Sequence, residues 1–298
     1  QLAEQQLGTT ISRFPVGNKK FKVRKPLLAP VVTKPDTYRI LFLGDSFTYG
    51  SGIADEKLTF PSLVTGSLAE NEIAIGSREF VFYNGGIPGS LTRRWLGLYQ
   101  ESVALLDPNL VISVFFLRDG TRELGSIAGL SAIRESMQQY RERSFLFRNS
   151  RLYRLLIEQS KQREVGKTYF ESISRAYLGS PEEIREWQAA QENLLSVRDD
   201  VLKRGGKFAL VIFPILFGLT DDYPLQEVVD EIERFGISNN IPTFSLLPVF
   251  QGEDASALWV SPLDQHPNTI GHAIAAEAIA TFVRQEHLDT PNEAPAVH

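Results

Sequence analysis

Tyr38-Arg39-Ile40-Leu41-Phe42-Leu43-Gly44-Asp45-Ser46 decides how the rest of the chain is read. Its apolar run is short and stops at a glycine, the mark of a buried strand. Runs of the same kind recur at Phe80-Val81-Phe82-Tyr83, at Leu110 to Leu117, at Phe208 to Phe213 and, more weakly, at Pro242 to Leu246. They are apolar on both faces, as parallel strands covered by helices should be. Helical patterns lie between them, at Phe60 to Leu68, Leu91 to Leu105, Leu225 to Phe235 and Ile270 to Val283. In the last, Ile270, Ile274, Ala278 and Phe282 fall every four residues and are expected to form one face. Alternating strand and helix predicts an α/β domain whose central parallel sheet has about five strands, joined by right-handed crossovers.

The flanks read differently. Residues 1–36 carry several Lys, Pro and Gly and little periodicity, and are expected to be an N-terminal arm or linker. The main domain is expected over 37–288, with a C-terminal tail at 289–298. A stretch from about 122 to 204 breaks the strand–helix rhythm. It is charged and helix-prone, with aromatics such as Tyr140, Tyr169, Tyr177 and Trp187 scattered through it. It reads as a helical insertion, of the kind that often covers the site of an α/β enzyme.

Bulk properties narrow the function classes. The 298 residues suit one large α/β domain, with or without a cap. A net charge of −5 argues against nucleic acid as a partner, and the basic run Lys19 to Lys25 reads as a solvated edge. There is no cysteine, which excludes disulfides and thiolate metal sites. No run approaches the ~20 apolar residues of a membrane span. A first residue other than Met, the missing cysteine and the linker-like start lead to an expected extracytoplasmic location, whether periplasmic, secreted or anchored through a removed N-terminus.

The chemistry gathers at strand ends. Ser46 follows the first strand, and in an open parallel sheet reactive groups collect beyond the C-terminal ends of strands. A helix starting there would aim backbone N–H groups at developing negative charge. Asn84-Gly85-Gly86-Ile87-Pro88-Gly89-Ser90 follows the second strand, and a glycine at such a bend lets backbone approach a ligand. Asp264-Gln265-His266-Pro267-Asn268 stands just before the last helix. A carboxylate beside an imidazole can fix its tautomer and stabilise the imidazolium that forms. Ser, Asp and His converging from the two ends of one domain make a constellation for acyl transfer.

Three segments carry a specific resemblance. Arg39 to Gly50, Asn84 to Gly89, and Asp264 to His266 followed by Pro-Asn resemble the first, second and last sequence blocks of the SGNH (GDSL) hydrolases. The resemblance spans about residues 38 to 285 and leaves out the arm and the insertion. It implies a flavodoxin-like three-layer α/β/α fold and a reaction that needs neither metal nor organic cofactor. It implies Ser46 as nucleophile, His266 as its base and Asp264 as the carboxylate orienting that base. The backbone N–H groups of Ser46 and Gly89 would form the oxyanion hole. Asp45, Asn84, Arg118 and Asp119 are expected on the substrate side. The remaining histidines, His272, His287 and His298, fit packing or surface positions better than the role of base.

Two features depart from the family. Its third block offers an Asn side chain to the oxyanion, whereas Phe116-Leu117-Arg118-Asp119-Gly120 has Arg118 there. Either Arg118 replaces that donor, or it binds an anionic part of the substrate, with Arg93 and Arg94 able to add charge at the same rim, or activity is low. The family also separates its Asp and His by two residues, and here only Gln265 intervenes. Asp264 therefore either orients His266 or is a turn or cap residue whose place a backbone carbonyl takes. The leading expectation is a serine esterase that removes short acyl groups, such as acetyl, from a carbohydrate or small molecule through an acyl-enzyme. The alternatives are a polysaccharide O-acyltransferase and a glycan-binding domain that kept the fold and lost turnover.

Overall fold

The computed structural model of the protein describes residues 12–16, 19–23, 37–73, 78–121, 167–262 and 264–290. Strands β1 (Ser12–Val16) and β2 (Lys19–Val23) pair antiparallel with Phe14 opposite Phe21. The stretch expected to be an arm thus holds a hairpin. Its signal is two short runs separated by exactly the dipeptide Gly17-Asn18, a hairpin spacing.

The central sheet is built from β3 (Thr37–Gly44), β4 (Glu79–Gly86), β5 (Leu110–Phe116), β6 (Lys207–Phe213) and β7 (Thr243–Ser245). All five are parallel and lie in the order β4-β3-β5-β6-β7. This is the flavodoxin-like order, which reverses direction between its first and third strands and opens a crevice there. In this chain that point lies between β3 and β5, beyond Gly44 and Phe116. Every residue of β5 is buried, and so is every residue of β3 but Arg39. This is why their sequences read as continuous apolar runs rather than alternating ones.

The helices that flank or follow these strands include α1 (Ser46–Tyr49), α2 (Phe60–Ile73), α3 (Thr92–Leu106), α4 (Arg185–Lys203), α5 (Gln226–Ser238), α6 (Leu247–Phe250) and α7 (Thr269–Gln285). Strand alternation shows which face each covers. Phe42 pairs in register with Ile112 and meets the ring of Phe60 from α2 at 6.2 Å. Phe115, an odd number of residues from Ile112, points the other way and meets Trp95 from α3 at 6.2 Å. Helices α2 and α7 pack together on the first face. On the second, α4 joins α3 through Tyr99 to Asp200 and α5 through Arg198 to Asn239. The result is the expected three-layer α/β/α arrangement.

The last helix corrects one expectation. Its buried residues are Gly271, His272, Ala275, Ala276, Ile279, Ala280, Phe282 and Val283, while Ile270 is 55% exposed. Four residues turn a helix by 400°, so the row Ile270, Ile274, Ala278, Phe282 drifts ~40° at each step, from exposed Ile270 to buried Phe282, and does not stay on one face. His272 is fully buried, and its Nδ1 accepts the Phe60 N–H at 3.1 Å, tying α7 to α2.

Residues 120–188 form a second compact unit, split from the rest of the chain. It contains a helix over 167–178. The Tyr177 ring lies 5.1 Å from that of Trp187, and the Tyr177 hydroxyl accepts the Gly120 N–H at 3.1 Å. Residues 122–166, to which much of the expected cover over the site belongs, lie outside the described residues. No helix among the described residues is long and apolar enough to cross a membrane.

Candidate active site

The position of Ser46 follows from a tight join between β3 and α1. Asp45 leaves the strand and caps the helix, its Oδ1 accepting the Phe47 N–H at 2.8 Å. Ser46 is the first helical residue, where N–H groups lack intrahelical partners and can serve an anion. The turn is pressed against the end of β4. A Cβ on Gly86 would sit 2.2 Å from the Tyr49 backbone nitrogen, so only glycine allows this approach.

The loop after β4 is stitched to the same place. The Ile87 N–H donates to the Gly44 carbonyl at 3.0 Å. The Ser90 hydroxyl accepts the Trp95 indole N–H at 2.8 Å, which fixes the loop from the far side. Between these ties Gly89 is exposed and left-handed at φ 69°. A Cβ there would meet nothing within 4 Å, so backbone conformation, not space, calls for glycine. Sequence reasoning misses Ser90 and Trp95, since nothing in the pattern marks a serine and a tryptophan five apart as a brace.

His266 arrives on a second hairpin, β8 (Trp259–Ser261) paired with β9 (Asp264–Pro267), just ahead of α7. Residues two apart on a strand point to the same side. The spacing that departs from the family therefore brings Asp264 and His266 together. Oδ1 of Asp264 lies 2.6 Å from Nδ1 of His266 and also accepts the His266 backbone N–H at 3.2 Å. Partial burial raises the Asp264 carboxyl, but these bonds outweigh it and hold the group below its ordinary range. With Nδ1 committed to Asp264, Nε2 is left to act as a base. Asn268 anchors the hairpin: its Oδ1 caps α7 at Ile270 and Gly271, and its Nδ2 donates to Ala257 and Trp259. An Asn before an apolar helical run is a capping signal that could have identified this role from sequence.

The imidazole lies beside the Ser46 turn, its ring centroid 5.4 Å from that of Phe47. The Ser46 hydroxyl is bonded at 3.3 Å to Oδ2 of Asp45 rather than to His266. Catalytic hydrogen bonds are often loose before substrate binds and tighten in the complex. Phe47 stacks on Phe116 at 4.1 Å and meets Phe213 edge-on at 5.0 Å, so the turn has an aromatic floor.

Arg118 and Asp119 follow β5, on the other side of the switch point. The Arg118 guanidinium lies 3.4 Å from Oδ2 of Asp45 and over the Phe116 ring, 5.9 Å from its centroid. Asp119 accepts the Phe116 N–H at 2.9 Å. Burial, then the nearby Asp45 carboxylate, push the Asp119 carboxyl well above its ordinary range. Three of the expected substrate-side residues are inaccessible. Asp45 and Asn84 are fully buried and Asp119 is 2% exposed. Asn84 is used within the fold: its Nδ2 donates to the Thr48 carbonyl and its Oδ1 accepts the Gly86 N–H. These side chains shape the turn and present no surface to a ligand. Arg93 is exposed on α3 and Arg94 is half-buried there.

No protein-family model matches the chain, and no curated protein does. Among solved structures, a two-domain esterase active on acetylated mannans is similar at 17% identity, covering 87% of this chain and 52% of that one, with a TM-score of 0.47. This chain spans about half the length of that protein. A lipase/acylhydrolase from Enterococcus faecalis is similar at 15% identity over 86% of this chain and all of that one, again with a TM-score of 0.47. An acetyl xylan esterase is similar at 14% identity over 82% and 99%, also at 0.47. Likenesses with TM-scores short of 0.5 assign no chemistry, which rests here on the side-chain geometry.

Proposed function

We propose that the protein is a serine ester hydrolase working through Ser46, His266 and Asp264. The observation that carries this reading is the 2.6 Å bond from Asp264 to Nδ1 of His266, on a hairpin that sets the ring beside the Ser46 turn. Ser46 Oγ attacks the acyl carbon while Nε2 of His266 takes its proton. The carbonyl oxygen becomes an oxyanion between the N–H groups of Ser46, at a helix start, and Gly89, on its braced loop. His266 then returns the proton to the leaving alcohol, and an acyl-enzyme remains. Water, deprotonated by the same imidazole, attacks the acyl carbon and releases the acid and free Ser46. Asp264 stays ionised throughout and stabilises the imidazolium.

Among the described residues two backbone donors are assigned to the oxyanion, and the position of the third-block Asn of the SGNH hydrolases holds Arg118, which is engaged with Asp45. Losing one such donor typically costs about 10²–10³ in rate, so turnover is expected to be modest. The substrate class is a short acyl ester, acetyl first, on a carbohydrate or small alcohol. The test is product analysis with p-nitrophenyl acetate and with acetylated oligosaccharides, each with and without an acceptor sugar. Free acetate in both conditions supports the hydrolase. Acetylated acceptor in place of free acetate would point to a transferase. Tight sugar binding with neither product would mark a binding domain.

A further inference from the structure

We propose that Arg118 is a positioning residue for the nucleophile, its guanidinium holding the Asp45 carboxylate in place on the Ser46 turn. The inference rests on the esterase reading and goes beyond it. The Asp45 carboxylate has no exposure to water, so protein groups alone must satisfy it. Its Oδ1 receives the Phe47 N–H at 2.8 Å. Its Oδ2 receives the Ser46 hydroxyl at 3.3 Å and Nη2 of Arg118 at 3.4 Å. The same carboxylate therefore caps the nucleophile helix and orients the nucleophile's own hydroxyl.

Three charged or titratable neighbours and one hydroxyl bear on it. Arg118 comes from the end of β5, His266 from β9, Ser46 from its own turn, and Asp119 faces it as a second buried carboxyl. Burial pushes Asp45 up, and the Phe47 N–H, then Arg118, then His266 oppose that push. Of these only arginine carries a charge at every working pH. Its seat over Phe116 keeps that charge in place. Without it Asp45 would take up a proton more readily and present an O–H where it now accepts from Ser46. The alternative role of anion anchor is less favoured, because an incoming anion at Arg118 would also face the Asp45 charge.

The test uses the full chain with Arg118→Met and Arg118→Lys, and Arg118→Gln if the Met variant does not fold. Carboxyl and imidazole titrations are followed by NMR of labelled Asp and His, and kcat and KM are measured on uncharged p-nitrophenyl acetate and on a p-nitrophenyl ester whose acyl group bears a carboxylate. In Arg118→Met the Asp45 midpoint is expected to move to higher pH. Its kcat should fall by up to about 10²-fold, the cost of misplacing a reacting group by an ångström, with KM unchanged and the loss deepening as pH falls. Arg118→Lys, which keeps the charge, should recover most of both. An unmoved Asp45 midpoint and full kcat in a folded variant would overturn the proposal. So would a loss confined to KM for esters bearing a carboxylate, which would make Arg118 a substrate anchor. The carboxyl titration needs no turnover. A wild type that hydrolyses no ester would therefore sink the esterase reading while the coupling of Arg118 to Asp45 is still decided.

Discussion

Removing the carboxylate from Asp264 is the perturbation whose size the structure sets best. In Asp264→Ala the imidazole loses a charge-assisted bond of 2.6 Å. Bonds to charged groups contribute about 1.5–3 kcal/mol. Both partners stand partly in water, with the Asp264 side chain 42% and the His266 side chain 31% exposed, so screening holds the bond to the lower part of that range. A loss of about 1.5–2 kcal/mol in the transition state is roughly a ten- to thirty-fold fall in kcat. That is far less than the ~10⁴ lost when a buried triad Asp becomes Asn. Hydrolysis of p-nitrophenyl acetate should show the fall in kcat with KM unchanged, and covalent labelling of Ser46 by a fluorophosphonate should slow in proportion. The pH dependence has a definite sign. Hydrogen bonds hold the Asp264 carboxyl below its ordinary range, so the wild type keeps its advantage above the unfolded value of about 3.9. That advantage disappears only as pH falls through the lower folded value. A kcat indistinguishable from wild type at neutral pH would refute the reasoning and leave Asp264 as a turn residue.

Two more perturbations probe the packing around the turn. Gly86→Ala would drive a Cβ to 2.2 Å from the Tyr49 nitrogen. It should cost about 1–3 kcal/mol in denaturant unfolding and lower kcat more than KM, since the atom it strikes belongs to the helix that carries Ser46. Asp119→Asn should keep an acceptor for the Phe116 N–H while removing a buried group that can ionise. Because the Asp119 carboxyl is raised in the fold, ionisation penalises the wild type increasingly as pH rises from the unfolded value toward the folded one. The variant should therefore be the more stable protein at pH 8 in urea unfolding, with the difference closing toward about pH 4. A variant no more stable than wild type at pH 8 would show that Asp119 is not held neutral.

The sheet is legible in the sequence because its strands are buried on both faces and end at glycines, prolines or polar turns. The apolar runs around Ile40, Phe82, Ile112, Leu210 and Phe244 each form a strand of the single parallel sheet. The face of α7 is easily misread because a four-residue repeat resembles helical periodicity over two turns and departs from it over four. Comparison with a two-residue family spacing leaves the meeting of Asp264 with His266 open. It is explained by β9, since a strand brings residues two apart to one side. The burial of Asp45, Asn84 and Asp119 cannot be read locally, because it arises where α1, β4 and β5 converge. The pairing of Arg118 with Asp45 spans 73 positions, and only the register of β5 against β3 brings the two side chains together.

Fluorophosphonate labelling of the intact protein, read by mass spectrometry of its peptides, tests the account at its centre. The expected result is one covalent adduct on Ser46, absent in Ser46→Ala and much slower to form in His266→Ala. A folded wild type that acquires no adduct on Ser46, or an adduct that survives in Ser46→Ala, would contradict it.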